Sequence, residues 1–310
     1  MKTSRVFLII AAVLLTIGVL LFLVGMIGGG FAFDRLSLTE SYEEKHLPRM
    51  SNAYTEIIFT DVNASITVLP IAGEEMRITY YESDSDMFQV EETDGRFSMQ
   101  RTYKWSIKNL FQFFSLPKDL SVTIELPERY AGSLTIKTNN GSISVQELFH
   151  IEHLSLKTNN GKIELTDLAV TGAYEGHTSN GKVTTQNIRA NAFSQTTSNG
   201  IITSSQLSIV ETLSLQTSNG RIELSDSTAG EISCSTSNSG IEIQNIFALL
   251  IELKTSNGAI KGNISASMDD YKIESKTANG KNSLPTKKES GAYLLTAKTS
   301  NGSIDVTFRP

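Results

Sequence analysis

The chain has 310 residues, of which 39% are hydrophobic and 19% charged, a balance that is typical of a globular protein rather than a disordered one. Its formal net charge of -6 argues against a nucleic-acid-binding protein, because phosphate binding needs clustered Lys and Arg. Cys234 is the single cysteine, so no disulfide forms within the chain, and its alternating surroundings predict a buried, unreactive thiol.

An uncharged apolar run begins close to the N-terminus. It extends from Val6 to Ile27, and its 22 residues would cross about 30 Å of hydrocarbon as a helix that rises about 1.5 Å per residue. We therefore predict a transmembrane helix at residues 6–27, after a cytoplasmic tail at residues 1–5. Basic residues precede the run and acidic residues follow it, so the positive-inside rule places the rest of the chain outside the cell.

A cleaved signal peptide is the alternative interpretation of this run. Gly30, Phe31 and Ala32 offer a small-x-small cleavage site, but the apolar core of a signal peptide is normally only about 7 to 15 residues long. The length of the run favours an uncleaved anchor. No second hydrophobic stretch of spanning length follows in the sequence, which predicts a single-pass protein.

The next segments differ in their hydrophobic pattern. Residues 28–50 show no clean period and predict a stalk, whereas residues 51–130 contain short alternating runs that predict an irregular β region capping the membrane-proximal end of the fold. An aromatic stretch from Trp105 to Phe114 has two interpretations. It is either an amphipathic segment on the membrane surface or a segment that covers the open end of a core.

A polar signature, Thr-x-Asn-Gly, recurs through residues 131–310. It appears eight times, a ninth copy has Ser239 in place of the glycine, and successive copies are 19 to 22 residues apart. Apolar residues alternate with polar ones on both sides of each copy, and this period of two predicts β-strands with one buried face. The signature residues are Thr138, Asn140, Gly141, Thr158, Asn160, Gly161, Thr178, Asn180, Gly181, Thr197, Asn199, Gly200, Thr217, Asn219, Gly220, Thr236, Asn238, Thr255, Asn257, Gly258, Thr277, Asn279, Gly280, Thr299, Asn301 and Gly302.

The length of the repeat decides the fold class. Units of 19 to 22 residues are too short for two helices, and a β-propeller blade needs about 40 residues. One two-strand unit cannot bury its apolar face alone, so the units must stack as coils. We therefore predict an all-β, single-stranded β-solenoid of about nine coils over residues 131–310, preceded by the N-terminal transmembrane helix.

Stacking gives the signature a structural interpretation. Neighbouring coils lie about 4.8 Å apart, so the threonine hydroxyls can form hydrogen bonds along the axis and the asparagine amides can form a ladder. Asn and Gly are also expected to supply the positive φ angles of a tight turn. The alternative is that the same edge is a ridge that presents hydroxyls and amides to sugars or ice-like surfaces.

Candidate catalytic and metal-binding residues are few. Glu223 and Glu242 fall on adjacent coils, near the separation of about 5 to 5.5 Å that retaining glycosidases use, but their alternation with buried residues predicts exposed side chains. His150 and His153 have the spacing of a zinc-ligand pair, with His177 further on, yet no cysteine accompanies them. We predict no catalytic residue, no cofactor and no metal site.

The chain resembles a known bacterial family at this point. The N-terminal run, F-T-D-V-N-A-S-I-T-V at residues 59–68, L-S-V-T-I-E-L-P at residues 120–127 and the T-S-N-G coils are similar to the "putative adhesin" domain family of unknown function, and especially to its LiaG-type membrane-anchored proteins, which are encoded with cell-envelope stress systems in Gram-positive bacteria. The resemblance covers about residues 50–310. It implies a right-handed β-solenoid with a surface or stress-response role, and it implies no catalytic residues.

These observations predict a non-enzymatic, adhesin-like binding or scaffold module at the bacterial cell envelope. Wall polymers or envelope membrane proteins are the expected partners, nucleic acid is not, and the oligomeric state cannot be predicted. An accessory regulator of an envelope-stress or antimicrobial-peptide response is the first alternative. A carbohydrate-active enzyme that uses Glu223 and Glu242 is the second.

Overall fold

The structure is a computed structural model that describes residues 2–28, 41–50, 54–104 and 120–309. The chain divides into two compact units, which are described separately. One unit comprises residues 1–41 and 104–117, and the other comprises residues 42–103 and 118–310. The aromatic stretch at residues 105–114 lies outside the described residues, as do residues 29–40 of the predicted stalk.

The first unit contains a single described element, helix α1, which spans Lys2–Gly28. Leu, Ile and Val are the commonest residues of its sequence, and of these leucine is a strong helix former. Its large apolar side chains are exposed, including Phe7 at 70%, Leu15 at 72% and Leu21 at 67%. Among the residues that the structure describes, none of the helices combines the length and the apolarity that a membrane span requires. The predicted helix is present, and its transmembrane role stays a prediction.

In its described residues the second unit is built from β-strands, with one short 3₁₀ helix at Met268–Asp270. Buried and exposed residues alternate along almost every strand, as the period-two pattern requires. The strands in the described residues are β1 (Glu43–Met50), β2 (Glu56–Thr60), β3 (Ile66–Ile71), β4 (Glu75–Glu82), β5 (Asp86–Thr93), β6 (Arg96–Tyr103), β7 (Val122–Pro127), β8 (Ser133–Lys137), β9 (Ile143–Gln146), β10 (Leu154–Lys157), β11 (Ile163–Thr178), β12 (Val183–Thr197), β13 (Ile202–Ile209), β14 (Thr212–Gln216), β15 (Ile222–Ser225), β16 (Thr228–Ser235), β17 (Ile241–Lys254), β18 (Ile260–Ile264), β19 (Tyr271–Lys276), β20 (Lys287–Lys288), β21 (Tyr293–Lys298) and β22 (Ile304–Phe308).

Parallel pairing stacks these strands into layers, so the predicted all-β, solenoid-like fold is confirmed. The strands that precede each signature turn form face 1, in the order β6-β2-β8-β10-β11-β12-β14-β16-β17-β21-β19. The strands that follow the turn form face 2, in the order β7-β3-β9-β11-β12-β13-β15-β17-β18-β22. Because parallel neighbours lie about 4.8 Å apart, face 1 extends about 50 Å along the axis.

A third face follows a second bend in each coil. The bend is made by non-glycine residues with φ between 49 and 57°, a left-handed conformation that Asn and Asp tolerate best. After it the chain pairs with its neighbours again, for example Leu168 with Ile188 and Ile188 with Leu207. Apolar side chains from all three faces fill the interior. The residues at the second bend are Glu147, Asp167, Asn187, Gln206, Asp226 and Asn245.

We predict a boundary at residue 131 between the capping region and the solenoid, but the strand pairing continues across it. Strand β2, from the predicted capping region, pairs in parallel with β8, with Ile57 opposite Leu134 and Phe59 opposite Ile136. Residues 56–71 form a further coil because they alternate in the same way around a turn at Asn63. The cover of this end consists of the antiparallel strands β5 on β6 and β4 on β7.

The end of the predicted stalk is also a strand. Residues 43–50 form β1, which runs antiparallel to β4 over eight residue pairs. Most residues of this strand are polar, so the hydrophobic pattern of the sequence did not indicate a strand here. Leu47 nevertheless packs against the core. Among the described residues β1 has only this one sheet neighbour, and an edge strand is where a proline such as Pro48 is tolerated in a sheet.

The last two coils stack in the reverse of their order in the chain. Strand β21 pairs with β17, and β19 pairs with the far side of β21, so the final coil lies between its two predecessors. The physical reason lies in the core, because the Tyr293 ring packs between the rings of Phe247, at 5.7 Å, and Tyr271, at 5.4 Å.

Candidate functional site

In the part of the chain that the structure describes, ten turns, rather than nine, stack where face 1 meets face 2. The tenth is Asp61-Val62-Asn63-Ala64, which precedes the predicted copies in the chain. It has the same four-residue pattern, with Asp in place of Thr and Ala in place of Gly. A search that allowed these two replacements would have found it in the sequence. Asp61 accepts hydrogen bonds at Oδ1 from the three N–H groups that follow, at 2.6 to 2.8 Å, and so performs the capping that threonine performs elsewhere.

The asparagine side chains form one continuous ladder. Each amide Nδ2 donates to the Oδ1 of the asparagine in a neighbouring layer, at 2.6 to 2.9 Å. Nine such bonds join ten side chains, which leaves each amide with further hydrogen-bonding capacity toward solvent. In layer order the ladder is Asn63, Asn140, Asn160, Asn180, Asn199, Asn219, Asn238, Asn257, Asn301 and Asn279.

The threonine hydroxyls bind backbone rather than each other. Thr158 donates to the carbonyl oxygen of Gly141 in the preceding layer, at 2.9 Å, and accepts from the N–H of Gly161 in its own turn, at 3.1 Å. The predicted hydroxyl hydrogen bonds along the axis are therefore present, and their acceptors are backbone carbonyl oxygens of the neighbouring layer. The pattern repeats at most turns because a buried hydroxyl must find both a donor and an acceptor.

The glycines serve a different purpose from the one predicted. None of the glycines in the signature turns has a positive φ. A Cβ at Gly161 would lie 1.8 Å from the carbonyl oxygen of Gly141, and equivalent contacts occur up the column. Glycine is required because successive turns approach more closely than any side chain allows. The exceptions are Ala64, in the first turn, and Ser239, which is half-buried where the preceding Gly220 is buried.

Four columns of exposed or half-buried residues border the turns, and we call them together the turn ridge. They are the residue before each threonine, the variable residue, the asparagine, and the residue after each glycine position. The variable residue is Asn or Ser in eight of the ten turns. Asparagine amides therefore recur at every layer, at intervals of about 4.8 Å over ten layers, and serine hydroxyls recur at most of them.

A buried charge cluster adjoins the first turn. Arg101 donates through Nε to Asp61, at 2.5 Å, and through Nη1 to Asp86, at 2.8 Å, and all three residues are at most 5% exposed. Burial lowers the pKa of Arg101, but attraction to the two carboxylates outweighs burial and raises it above the usual value. The guanidinium also lies 4.2 Å from the ring centre of Phe88. This cluster ties the first turn to strands β5 and β6.

The two glutamates considered for catalysis are in register, with Glu223 half-buried and Glu242 exposed. Glu223 and Glu242 lie opposite each other on β15 and β17. Glu223 is held by an ion pair with Arg221, at 3.1 Å, and by the Thr203 hydroxyl, at 3.1 Å. A glycosidase acid works inside a shielded cleft, which these positions do not provide.

The histidines considered for a metal site are not brought together. His153 lies beside Glu152, with 3.8 Å between Nε2 and Oε1, and its Nδ1 accepts from the N–H of Ala173. His177 belongs to the turn ridge. In the part of the chain that the structure describes, no three His, Cys, Asp or Glu side chains gather as a metal site would require.

A shallow cleft of about 340 Å³ lies at the N-terminal end of the stack. Tyr54 and Tyr130 contribute aromatic walls, and Glu74, Arg129 and Glu152 contribute charged groups. The hydroxyl of Tyr130 donates to the Ser133 carbonyl oxygen, at 2.9 Å, which fixes the ring. Sequence reasoning missed this cleft because its residues come from four separate segments.

A family model describes most of the chain. The model of the Toastrack DUF4097 family matches residues 54–310. The chain belongs to this family. The match covers the solenoid described above and confirms the resemblance to a family of unknown function. No curated protein matches the chain significantly.

Solved structures to which the chain is similar come from several bacteria. A "putative adhesin" from Bacteroides fragilis is 13% identical, with 86% of this chain and 99% of that chain covered and a TM-score of 0.44. A "putative lipid binding protein" from Parabacteroides distasonis is 16% identical, with 86% and 97% covered and a TM-score of 0.46. A "putative cell adhesion protein" from Clostridium sporogenes is 10% identical, with 87% and 100% covered and a TM-score of 0.30.

Proposed function

We propose that this chain is a non-enzymatic binding module that a membrane anchor holds at the outside of the bacterial cell envelope. The single observation that supports this function is the turn ridge, where an exposed asparagine amide recurs in ten successive layers and a neighbouring Asn or Ser recurs in eight of them. A repeating surface suits an extended, repeating partner, whereas an enzyme gathers different chemical groups in one concave site. Wall polymers fit this description best among the partners expected at an envelope.

The anchor is proposed from the N-terminal run. Its 22 uncharged residues match the length of a spanning helix, and side chains such as Phe7 and Leu15 are about 70% exposed. Burying such a side chain is worth about 1.5 to 3 kcal/mol, so a hydrocarbon environment would stabilise the helix. The solenoid would then be displayed outside, since the basic residues precede the run.

The anchor is tested with the full chain expressed in bacterial cells. Membranes are isolated and washed with alkaline carbonate, and intact protoplasts are treated with a protease that cannot cross the membrane. We expect the chain to stay in the washed pellet and the solenoid to be degraded from outside. Release by carbonate, or protection of the solenoid, would contradict the anchored arrangement.

The binding function is tested by crosslinking the full chain in its own cells and identifying what is captured. Capture of wall polymer supports the proposal. Capture of a sensor or transporter protein alone would replace it with an accessory regulator of an envelope-stress or antimicrobial-peptide response. Polysaccharide cleavage by the purified chain that Glu223→Gln abolishes would contradict a non-enzymatic role.

A further inference from the structure

The two columns that flank the turns carry charge of one sign. The column before the threonines contains five lysines and His177 in ten layers, and the column after the glycine positions contains three lysines and Arg221. The strand register places Lys157 opposite both Lys137 and His177, and Lys298 opposite both Lys254 and Lys276. The nine basic residues are Lys137, Lys157, Lys162, Lys182, Arg221, Lys254, Lys276, Lys281 and Lys298.

No acidic residue occurs in any of the four columns of the turn ridge. The ridge thus holds nine of the 27 Lys and Arg of the chain and none of its 33 Asp and Glu, although the net charge is -6. In the described part of the chain, ion pairs are recorded for only three of the nine, which are Lys162 with Glu164, Arg221 with Glu223, and Lys298 with Glu274.

Stability does not account for this arrangement. Like charges directly opposite on neighbouring strands destabilise a sheet, yet lysines stack at about 4.8 Å in layers at both ends of the ridge. Protection of a sheet edge does not account for it either, because Lys137 and Lys157 lie in interior layers. An anionic ligand bound along the ridge would relieve the repulsion between the lysine ammonium groups.

We propose that the turn ridge binds a linear, phosphate-bearing polymer that lies along the solenoid axis. This inference rests on the proposed binding function and names the chemistry of its partner. Lysine ammonium groups bind phosphate as point charges, and the serine hydroxyls and asparagine amides between the two basic columns add hydrogen-bond donors. The ten layers span about 43 Å, so contacts multiply along one polymer chain.

The test measures binding of the full chain, held in uncharged detergent, to fluorescent long-chain polyphosphate at low salt. The ridge variant combines Lys254→Gln, Lys276→Gln and Lys298→Gln. Its matched control removes the same charge from exposed positions off the ridge, with Arg189→Gln, Lys272→Gln and Lys287→Gln. We expect the ridge variant to weaken binding at least tenfold and the control variant to weaken it less than threefold. Circular dichroism checks that both variants are folded.

Three further probes separate the possible ligands. Tripolyphosphate is too short to span the layers and should bind at least a hundredfold more weakly than the long polymer. Tighter binding of poly-glutamate would overturn the assignment to phosphate, and tighter binding of anionic vesicles than of polymer would overturn the assignment to a polymer. Equal losses in the ridge and control variants would also overturn it.

Failure of this inference is distinguishable from failure of the proposed function. If the full chain still captures wall polymer in cells and the ridge variant captures it equally well, the binding function stands and the ridge assignment fails. If neither captures wall polymer, the binding function itself fails.

Discussion

Gly200 occupies a position where the neighbouring layer leaves no room for a side chain. An added Cβ would lie 1.8 Å from the carbonyl oxygen of Gly181, which is backbone and cannot rotate away. The signature therefore depends on the spacing between turns rather than on unusual backbone angles. Positive φ angles occur instead at the second bend, at residues such as Asp226 and Asn245.

Replacing Gly200 with alanine tests this close approach. We expect Gly200→Ala to lower the free energy of unfolding by about 3 kcal/mol or more, because the layers must separate to admit the methyl group. Urea denaturation followed by circular dichroism measures the change. Ser198→Ala, in the same turn but facing outward, should change stability by less than about 0.5 kcal/mol. Equal effects of the two substitutions would count against the steric explanation.

The amide ladder makes a separate prediction at Asn199. Asn199→Asp removes the Nδ2 donor to Asn180, which is 2.7 Å away, and places a carboxylate against the Asn180 oxygen. We expect a loss of about 1 kcal/mol or slightly more, the usual contribution of one such hydrogen bond. Ser198→Asp adds the same charge to the same turn without breaking the ladder, and a loss as large as that of Asn199→Asp would show that charge alone is responsible.

Cys234 provides a prediction for alkaline pH. Burial raises the pKa of its thiol from 9.0 to about 12, so the folded chain keeps a proton that the unfolded chain loses. Its contribution to stability is complete below pH 9 and should fall by about 1.4 kcal/mol per pH unit up to pH 12. The stability difference between the native chain and Cys234→Ala, measured by urea denaturation from pH 7 to 11, isolates this effect from titrating tyrosines. A difference that stays constant with pH would contradict it.

The identities of the turn residues could be predicted from the sequence, but several of their contacts could not. The repetition itself pointed to a ladder of Thr, Asn and Gly. It did not reveal that each hydroxyl binds backbone, because that depends on how closely the layers approach. It also missed Asn63, since a signature defined by Thr and Gly excludes a turn in which Asp61 does the capping.

The stacking order of the last strands could not be predicted from the sequence either. The strands β19 and β21 both fit beside β17, because each presents a tyrosine, alternating apolar residues and a lysine in the same register. The spacings of 22 residues between the last copies, against 19 or 20 before, are the sequence feature that accompanies the exchange. A longer connection is needed because the chain must skip one layer and then return.

Crosslinking between engineered cysteines tests the strand order, in a Cys234→Ala background. Glu252 and Thr296 lie in register on β17 and β21, so Glu252→Cys with Thr296→Cys should form a disulfide readily at a Cα separation of about 4.8 Å. Glu252→Cys with Glu274→Cys joins positions two layers apart, about 10 Å, and should not. Gel mobility under mild oxidation reads out both pairs. A disulfide in the second pair and none in the first would show that the coils stack in their order along the chain.

The molecule as a whole is acidic, but its turn ridge is a basic surface. Net charge argued against a partner that carries phosphate, and that argument assumed that charge is spread evenly. Once the strands are in register, nine basic residues and no acidic ones border the turns. The sequence contains every one of these lysines, but their alignment exists only in the stacked fold, where residues 20 positions apart become neighbours.

The salt dependence of polymer binding tests this account most directly. Binding of polyphosphate to the full chain is measured from 50 to 300 mM salt, and the logarithm of the affinity is plotted against that of the salt concentration. Each ammonium that contacts a phosphate adds about 0.7 to 0.9 to the slope. The ridge variant, which lacks Lys254, Lys276 and Lys298, should therefore lose about 2 to 3 units of slope, while the control variant keeps the slope of the native chain. The same slope in all three proteins would contradict a ridge that binds polymer.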